Sequence, residues 1–548
     1  MKQADDPYFL GDVETDHAFW ADVVADRILE RDPDEPIVIK GGISPSGVPH
    51  LGNMNEVVRG YFVAEVLRER GYTVRQLFTS DDRDPLRKLP RKLANLDGEI
   101  VDLGAVNAGA LGRNLGRPYT DIPDPFGCCE SYGAHFANLV ERSAAALDIP
   151  VEMVSNTELY EDGTFEATTR FLLANRDRAR EVLSQYQEKV DETYVPFNPI
   201  CEECGKITET VTEVDLEAGV LTYECTDMDA GDRTIEGCGH RGTATLREGK
   251  LPWRFEWPAQ WTVLDVDHEP FGKDHAEGSW PSGVDIARNV FEIEPPVPMV
   301  YEWFTLNGET FSSSAGNVIL TGDVLEMLEP EVVRFFFSKD PRKARDFDVS
   351  HLDQLVDEFD RLERVALGRE AADPDETALA ERVYPMLVES VREDRIRIPY
   401  TFAAVLGMTD DPSLREEIAR REGHIPEDAS EDAVRDALSR VDLAREWARR
   451  TDNEFNYDLK RESMPDAEFD AETEAAFADL ADFIEGGVSP EEIQGEIYET
   501  ARRHDLAVGE FFTDGYRLFF DEEQGPKLGT FLGKLDREFV VARLRLER

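Results

Sequence analysis

Residues 41–53 read Gly-Gly-Ile-Ser-Pro-Ser-Gly-Val-Pro-His-Leu-Gly-Asn, directly after the apolar run Ile37-Val38-Ile39 and directly before a helical pattern from Glu56 to Arg70. That order predicts a strand, a turn of small residues and a helix start, the repeating unit of a parallel α/β sheet. Glycines let the backbone approach a ligand closely, and free N–H groups at a helix N-terminus favour negative charge, so the turn suits phosphates. His50, at the end of the turn, tips the balance away from an ordinary strand-to-helix connection.

At 548 residues the chain is too long for one ordinary domain. It has no apolar run long enough to span a bilayer, and its start, Met-Lys-Gln-Ala-Asp-Asp, has no apolar signal core. A cytoplasmic protein without a membrane partner is expected. Acidic residues number 115 against 60 basic ones, for a net charge of −55, and the basic set is 13 Lys and 47 Arg. The acids are spread among 41% hydrophobic residues rather than gathered in a tail, so the chain has the means to form a core. Such self-repulsion is tolerable where the Debye length falls to about 3 Å, near 1 M salt, which points to a halophilic cytoplasm. Strong salt also weakens counterion release, so acidity does not exclude a nucleic-acid partner.

Four of the six cysteines fall in one segment: Cys201-Glu-Glu-Cys204, then Cys225 and Cys238, with His240 close behind. The two-residue spacing lets the first pair meet one tetrahedral ion, and the long gap suits a structural zinc ribbon. Cys238 and His240 are both open as the fourth ligand. Cys128 and Cys129 are adjacent, cannot easily reach one ion, and are expected to pack.

Trp253, Trp257 and Trp261 recur every four residues, a stripe on one helix face, with Pro258 suited to a first turn. Core packing is the default for such a stripe; the nearby Gly272-Lys273-Asp274-His275 makes a site there plausible.

Ser-Pro-Ser-Gly followed by His-Leu-Gly-Asn resembles the His-Ile-Gly-His signature of class I aminoacyl-tRNA synthetases and related nucleotidyltransferases. Trp257-Pro-Ala-Gln-Trp261, Pro270-Phe-Gly-Lys-Asp-His275, Ser80-Asp-Asp-Arg-Asp-Pro-Leu-Arg-Lys88, Tyr119-Thr-Asp-Ile-Pro-Asp-Pro-Phe-Gly127 and Tyr301-Glu302-Trp303 closely resemble the archaeal-type class I lysyl-tRNA synthetases. The resemblance implies ATP binding by Gly42, Ser44, Ser46, Gly47, His50, Gly52 and Asn53, and by Ser312 and Ser314 of a second loop, Thr310-Phe-Ser-Ser-Ser-Ala-Gly-Asn317. It assigns catalysis to His50, Asn53, Ser312, Ser313 and Ser314. Both lysines of the family's serine loop are replaced here, by Thr310 and Ala315. Mg²⁺, Lys273 and Arg334 are candidates to compensate.

A lysine side chain requires a slot with aromatic walls and acceptors at its end. Gly42, Trp257, Trp261, Lys273, Asp274, His275 and Tyr301 are the implied lysine-binding residues, with Asp81, Asp82 or Glu302 meeting the ammonium. The implied fold is a Rossmann-like α/β catalytic domain (1–100 and 246–329) split by a zinc-bearing insertion (101–245), then a small stem-contact domain (330–375) and an all-α anticodon-binding domain (376–548). The implied reaction is the two-step charging of tRNA(Lys) with L-lysine, using ATP, Mg²⁺ and a structural Zn²⁺, with no role for DNA. The basic residues near the end, Lys527, Lys534, Arg537, Arg543, Arg545 and Arg548, suit either tRNA phosphates or internal ion pairs. A glutamyl-type synthetase would need an arginine pocket, an adenylyltransferase would have no use for the helical domain, and a silent tRNA-binding relative would show no pyrophosphate exchange.

Overall fold

A computed structural model describes residues 5–11, 15–188, 190–231, 233–311, 317–461, 463–525 and 527–547. Ser312, Ser313, Ser314 and Ala315 lie outside the described residues. Two compact units result: Met1–Val324 with Val333–Asp348 and Ala371–Glu389, and Leu325–Val332 with Val349–Glu370 and Ser390–Arg548.

The first unit is organised by five strands: β1 (Ile37–Ile43), β2 (Val74–Ser80), β3 (Glu152–Ser155), β4 (His268–Gly272) and β5 (Val297–Tyr301). Their spatial order is β5-β4-β1-β2-β3, all parallel. The near-continuous apolar runs of β1 and β5 are what a sheet covered on both faces demands, and both strands are buried along most of their length. The chain proceeds outward through β2 and β3, then returns to the other side of β1 with β4, so the order reverses between β1 and β4. Ligands of open α/β sheets bind in the crevice at such a reversal, beyond the carboxyl ends of the strands. The edge strand β3 comes from inside residues 101–245, the interval read as an insertion.

After β1 the small-residue turn runs into one 3₁₀ turn (Leu51–Asn53) and then helix α1 (Met54–Glu69). Val57, Val58, Phe62, Val63, Val66 and Leu67 of α1 are buried. Helix α2 (Trp253–Val263) carries the tryptophan stripe, with Pro258 inside the helix rather than in its first turn. The stripe packs into a core with Phe271 and Trp280, which holds the helix in spite of the donor that proline removes. Between β3 and β4 the strands Val211–Asp215, Val220–Glu224 and Arg241–Thr245 form a small antiparallel sheet beside the cysteines 201–238.

Among its described residues the second unit is helical and contains no strand. Its core includes Trp447 packed on Tyr400 and Phe477 packed on Phe511. Lys534 pairs with Glu422, Arg545 with Asp482 and Glu485, and Arg543 donates to the carbonyls of Leu518 and Arg461. For these three the internal partners win over the phosphate reading. No described helix is long and apolar enough to cross a membrane.

Candidate active site and metal centres

The turn after β1 is held by its own residues. Asn53 Oδ1 accepts from the His50 backbone N–H at 2.9 Å, and the Leu51 N–H donates to the carbonyl of Ile319 at 2.9 Å. The His50 ring stacks on Phe311 with centroids 4.7 Å apart, and its Nδ1 is buried without a partner among the described residues. Burial pushes the His50 pKa down to about 4, so the imidazole is neutral at physiological pH. Gly52 is required by the fit of that ring, since a Cβ there would lie 2.8 Å from His50 Cε1 and Nδ1.

Three cavities meet at the switch between β1 and β4. One of about 850 Å³ is lined by Ser44, Ser46, Gly47, His50, Asn53 and the segment from Asp84 to Arg91. A second of about 540 Å³ is lined by Gly42, Ser44, His50, Gly52, Asn53, Asp274, His275, Tyr301 and Phe311. The third, about 200 Å³, is lined by Lys40, Gly42, Glu56, Asp81, Trp253, Trp257, Glu269 and His275. Asp82, Trp261 and Lys273 line none of the three.

The smallest cavity is a charged slot with aromatic walls. Glu269 of β4 accepts from Lys40 Nζ at 2.7 Å, from Trp257 Nε1 at 2.8 Å and from Trp261 Nε1 at 2.5 Å. Glu56 of α1 accepts from the Gly42 N–H at 3.0 Å and from the Tyr301 hydroxyl at 3.1 Å. Asp81 accepts from Asn156 Nδ2 at 2.8 Å and Gln260 Nε2 at 3.0 Å. Burial, reinforced by neighbouring Glu269, raises the Glu56 pKa to about 7; burial and the nearby Glu256 and Asp84 raise Asp81 well above the usual carboxylate range. Four carboxylates, Glu56, Asp81, Asp84 and Glu269, thus line the slot with Lys40, which bonds Glu269, while Lys250 holds Asp84.

The other expected residues have different work. Asp82 accepts from the Thr157 N–H at 2.8 Å, at the start of the helix Asn156–Glu161. Trp261 lies behind Trp257 and reaches the slot only through its bond to Glu269. Lys273 pairs with Glu302 at 2.9 Å, which engages both the carboxylate and the cation of that stretch. Arg334 is buried, with its guanidinium engaged by the carbonyls of Leu147 and Leu387. Lys40, Glu56 and Glu269 were missed by the sequence reading. The signal was there: a lysine and a glutamate inside otherwise apolar strands, and a glutamate near the start of a helix whose following residues are mostly buried.

Cys201, Cys204, Cys225 and Cys238 bring their sulfurs within 4.8 Å of one another. Cys201 to Cys238 and Cys204 to Cys225 are each 3.7 Å, far beyond a disulfide and close to the ~3.8 Å edge of a tetrahedron with zinc–sulfur bonds of about 2.3 Å. His240 Nε2 instead meets the Glu202 carboxylate at 2.9 Å and stays outside the cluster. A second cluster corrects the expectation for Cys128 and Cys129. With Asp124 and His135 they bring four ligand atoms within 4.8 Å, because the turn at Gly127 (φ +71°) folds both cysteines over the Asp124 carboxylate, which accepts their backbone N–H groups. His135 Nε2 meets the carbonyl of Ala94 at 2.8 Å, leaving Nδ1 toward Cys128 at 3.3 Å. That outer bond fixes a ligating tautomer.

A doubly wound parallel sheet with a histidine-bearing turn of small residues at its switch point has the form of a class I nucleotide-activating catalytic domain. The family model "tRNA synthetases class I (K)" matches residues 18–389. The chain is 70% identical to the lysine–tRNA ligase of Halobacterium salinarum over 100% of both chains, and 66% identical to that of Haloarcula marismortui over 99% of both. It is 35% identical to the lysine–tRNA ligase of Pyrococcus horikoshii, over 96% of this chain and 99% of that one. The chain belongs to the archaeal-type class I lysyl-tRNA synthetases.

Proposed function

We propose that the chain activates L-lysine with ATP and transfers it to tRNA(Lys), and that the slot of Lys40, Glu56, Asp81, Trp257 and Glu269 receives the lysine side chain. The excess of buried carboxylate over cation carries this reading: burial makes ionising Glu56 and Asp81 costly until a further cation enters, and an ammonium on a flexible stem between indole walls fits that demand. A glutamate substrate would add a further carboxylate to the four that line the slot, which disfavours the glutamyl alternative.

The 540 Å³ cavity, with Gly52, Asn53, Phe311 and His50 on its walls, suits ATP. The lysine carboxylate attacks the α-phosphorus and pyrophosphate leaves, forming lysyl-adenylate. A ribose hydroxyl of the terminal tRNA adenosine then attacks the acyl carbon, and AMP leaves. Neutral His50 donates an N–H to the phosphate oxygens as charge builds, and the turn holds the reactants in line. Mg²⁺ would neutralise the triphosphate when bound. Ser312, Ser313 and Ser314 are proposed on resemblance alone. Both clusters, Cys201/Cys204/Cys225/Cys238 and Asp124/Cys128/Cys129/His135, have the donor chemistry of structural zinc. Two zinc sites, rather than the one expected from spacing, are proposed. The charge excess and the relatives from Halobacterium and Haloarcula support function in strong salt within the cytoplasm.

The test is pyrophosphate exchange and aminoacylation in molar KCl with each of the twenty amino acids, Mg²⁺ and total tRNA. Lysine-dependent activity lost in His50→Ala is expected. Dependence on another amino acid, or silence from folded protein, would overturn the reading.

A further inference from the structure

The aromatic core behind the slot extends to the outer edge of the sheet. Trp257, which lines the slot, packs against Trp280 with ring centroids 5.9 Å apart, and Trp280 also meets Trp261 at 5.5 Å and Phe271 at 4.9 Å. β5 is an edge strand, and its last residue, Tyr301, bonds Glu56. An edge strand leaves backbone groups in need of partners. Here a partner arrives from residues 5–11, far away in sequence: the Val300 N–H donates to the carbonyl of Pro7 at 3.2 Å. Two residues earlier the carbonyl of Asp5 accepts from Trp280 Nε1 at 2.9 Å. The Asp5 carboxylate accepts from both Nη atoms of Arg288, Phe9 and Leu10 are buried, and the Leu10 carbonyl accepts from Arg342 Nη1 at 2.8 Å.

These residues precede residue 18, where the family match begins, so they stand outside the part of the chain that the family model describes. Yet what they hold are two supports of the slot. Trp280 backs Trp257, and Val300 comes one residue before Tyr301. Both bonds are made by backbone carbonyls of the segment, so its path, fixed by the Asp5–Arg288 pair and by buried Phe9 and Leu10, sets where the indole and the strand lie. A wall that meets an ammonium face-on, and a carboxylate that must bond it, lose their worth when displaced by about 1 Å. The segment's own hold is modest, with two buried apolar side chains and a few hydrogen bonds, which puts it among the parts of a fold that open most readily.

We infer that residues 5–11 form a positioning strap for the amino-acid slot, holding Trp280 and β5 where Trp257 and the Tyr301–Glu56 pair can meet the substrate. The inference rests on the proposed lysine slot. Coupling between two sites is reciprocal: a docked strap that tightens lysine binding is in turn held down by bound lysine. His50 and Asn53, proposed to meet ATP, are carried by the turn after β1 rather than by β5 or Trp280, so ATP affinity is expected to hold.

The test uses the full chain in molar KCl. Asp5→Ala removes the anchor to Arg288, and Asp5→Glu keeps a carboxylate for it. In Asp5→Ala the lysine Kd and the lysine KM of pyrophosphate exchange should rise fivefold or more, with kcat at saturating lysine and the ATP Kd within twofold of the parent. Asp5→Glu should restore lysine binding to within twofold. A strap that only stabilises the fold would lower the melting temperature and leave the lysine Kd unmoved, which would overturn the inference; equal weakening of lysine and ATP would do the same. A second measurement needs no variant. In the parent, saturating lysine should slow hydrogen exchange at the Phe9, Gly11 and Val300 amides threefold or more, and ATP should not; exchange indifferent to lysine would contradict the strap while leaving the slot in place. A parent that binds no lysine would instead fail the slot reading, and the inference with it.

Discussion

Each unit buries a cluster of charges, and the two clusters behave in opposite ways. In the helical unit Arg440 bonds Glu329 at 2.6 Å and Asp360 at 2.6 and 2.9 Å, while Arg397 bonds Glu363 at 2.9 Å. In spite of burial, Arg440 and Arg397 hold Glu329 below the usual carboxylate range. In the sheet unit, Glu56, Asp81 and Glu269 share Lys40, and burial drives Glu56 and Asp81 upward. A buried network in which every ion is bonded to an opposite charge at rest is architecture. A buried network short of one cation, and opening on a cavity, is a receptor for that cation.

The largest effect separating the two belongs to the paired cluster of the helical unit. Arg440→Met should cost about 3–5 kcal/mol of stability by leaving buried carboxylates unpaired, seen as a lower unfolding midpoint in molar KCl that added lysine does not restore. Glu56→Gln should behave in the reverse way. The native carboxyl is already half protonated near pH 7, so the fold tolerates neutrality. Lysine affinity should fall by a factor of roughly 10 to 100, the worth of a charge-assisted hydrogen bond of about 1.5–3 kcal/mol, while ATP affinity holds.

A smaller effect is expected next door. Gly52→Ala forces the His50 ring off Phe311, an overpacking cost of about 1–3 kcal/mol; single-turnover adenylation should slow while lysine affinity stays put. The smallest is a pH effect. Below about 7 the ligand-free Glu56 holds a proton that bound lysine would displace, so affinity should rise about tenfold per pH unit toward 7 and then level off. The same raised pKa costs the ligand-free fold stability as pH climbs from 4.5 to about 7, where the unfolded chain has already released its proton, and costs no more above that. Glu56→Gln should flatten both profiles.

What could be read from sequence was local. Strand, turn, His50 and α1 lie within one short stretch, so their order could be read directly, and the phosphate reading came from the resemblance carried there. The proposed lysine slot is non-local: Glu269 gains its meaning from Lys40, Trp257 and Trp261, which come from β1 and α2, and Glu56 from Gly42 and Tyr301. Resemblance pointed to Trp257, Asp81 and His275, which line the slot, but also to Asp82 and Lys273, which bond elsewhere. Spacing arguments chose the four cysteines of the 201–238 segment and left His240 open; the fold draws His240 to Glu202. Spacing misjudged Cys128 and Cys129, because the positive φ at Gly127 and the reach of Asp124 are properties of a folded turn.

Calorimetric titration with lysine and with norleucine, which has the same chain length without the ammonium, tests whether the acid-rich slot is a receptor for a cation. Lysine should bind at least about a hundredfold more tightly, and at pH 7 its binding should release protons as Glu56 ionises, in amounts that vanish above pH 9. Equal affinities, or lysine binding with no proton release at pH 7, would contradict the account.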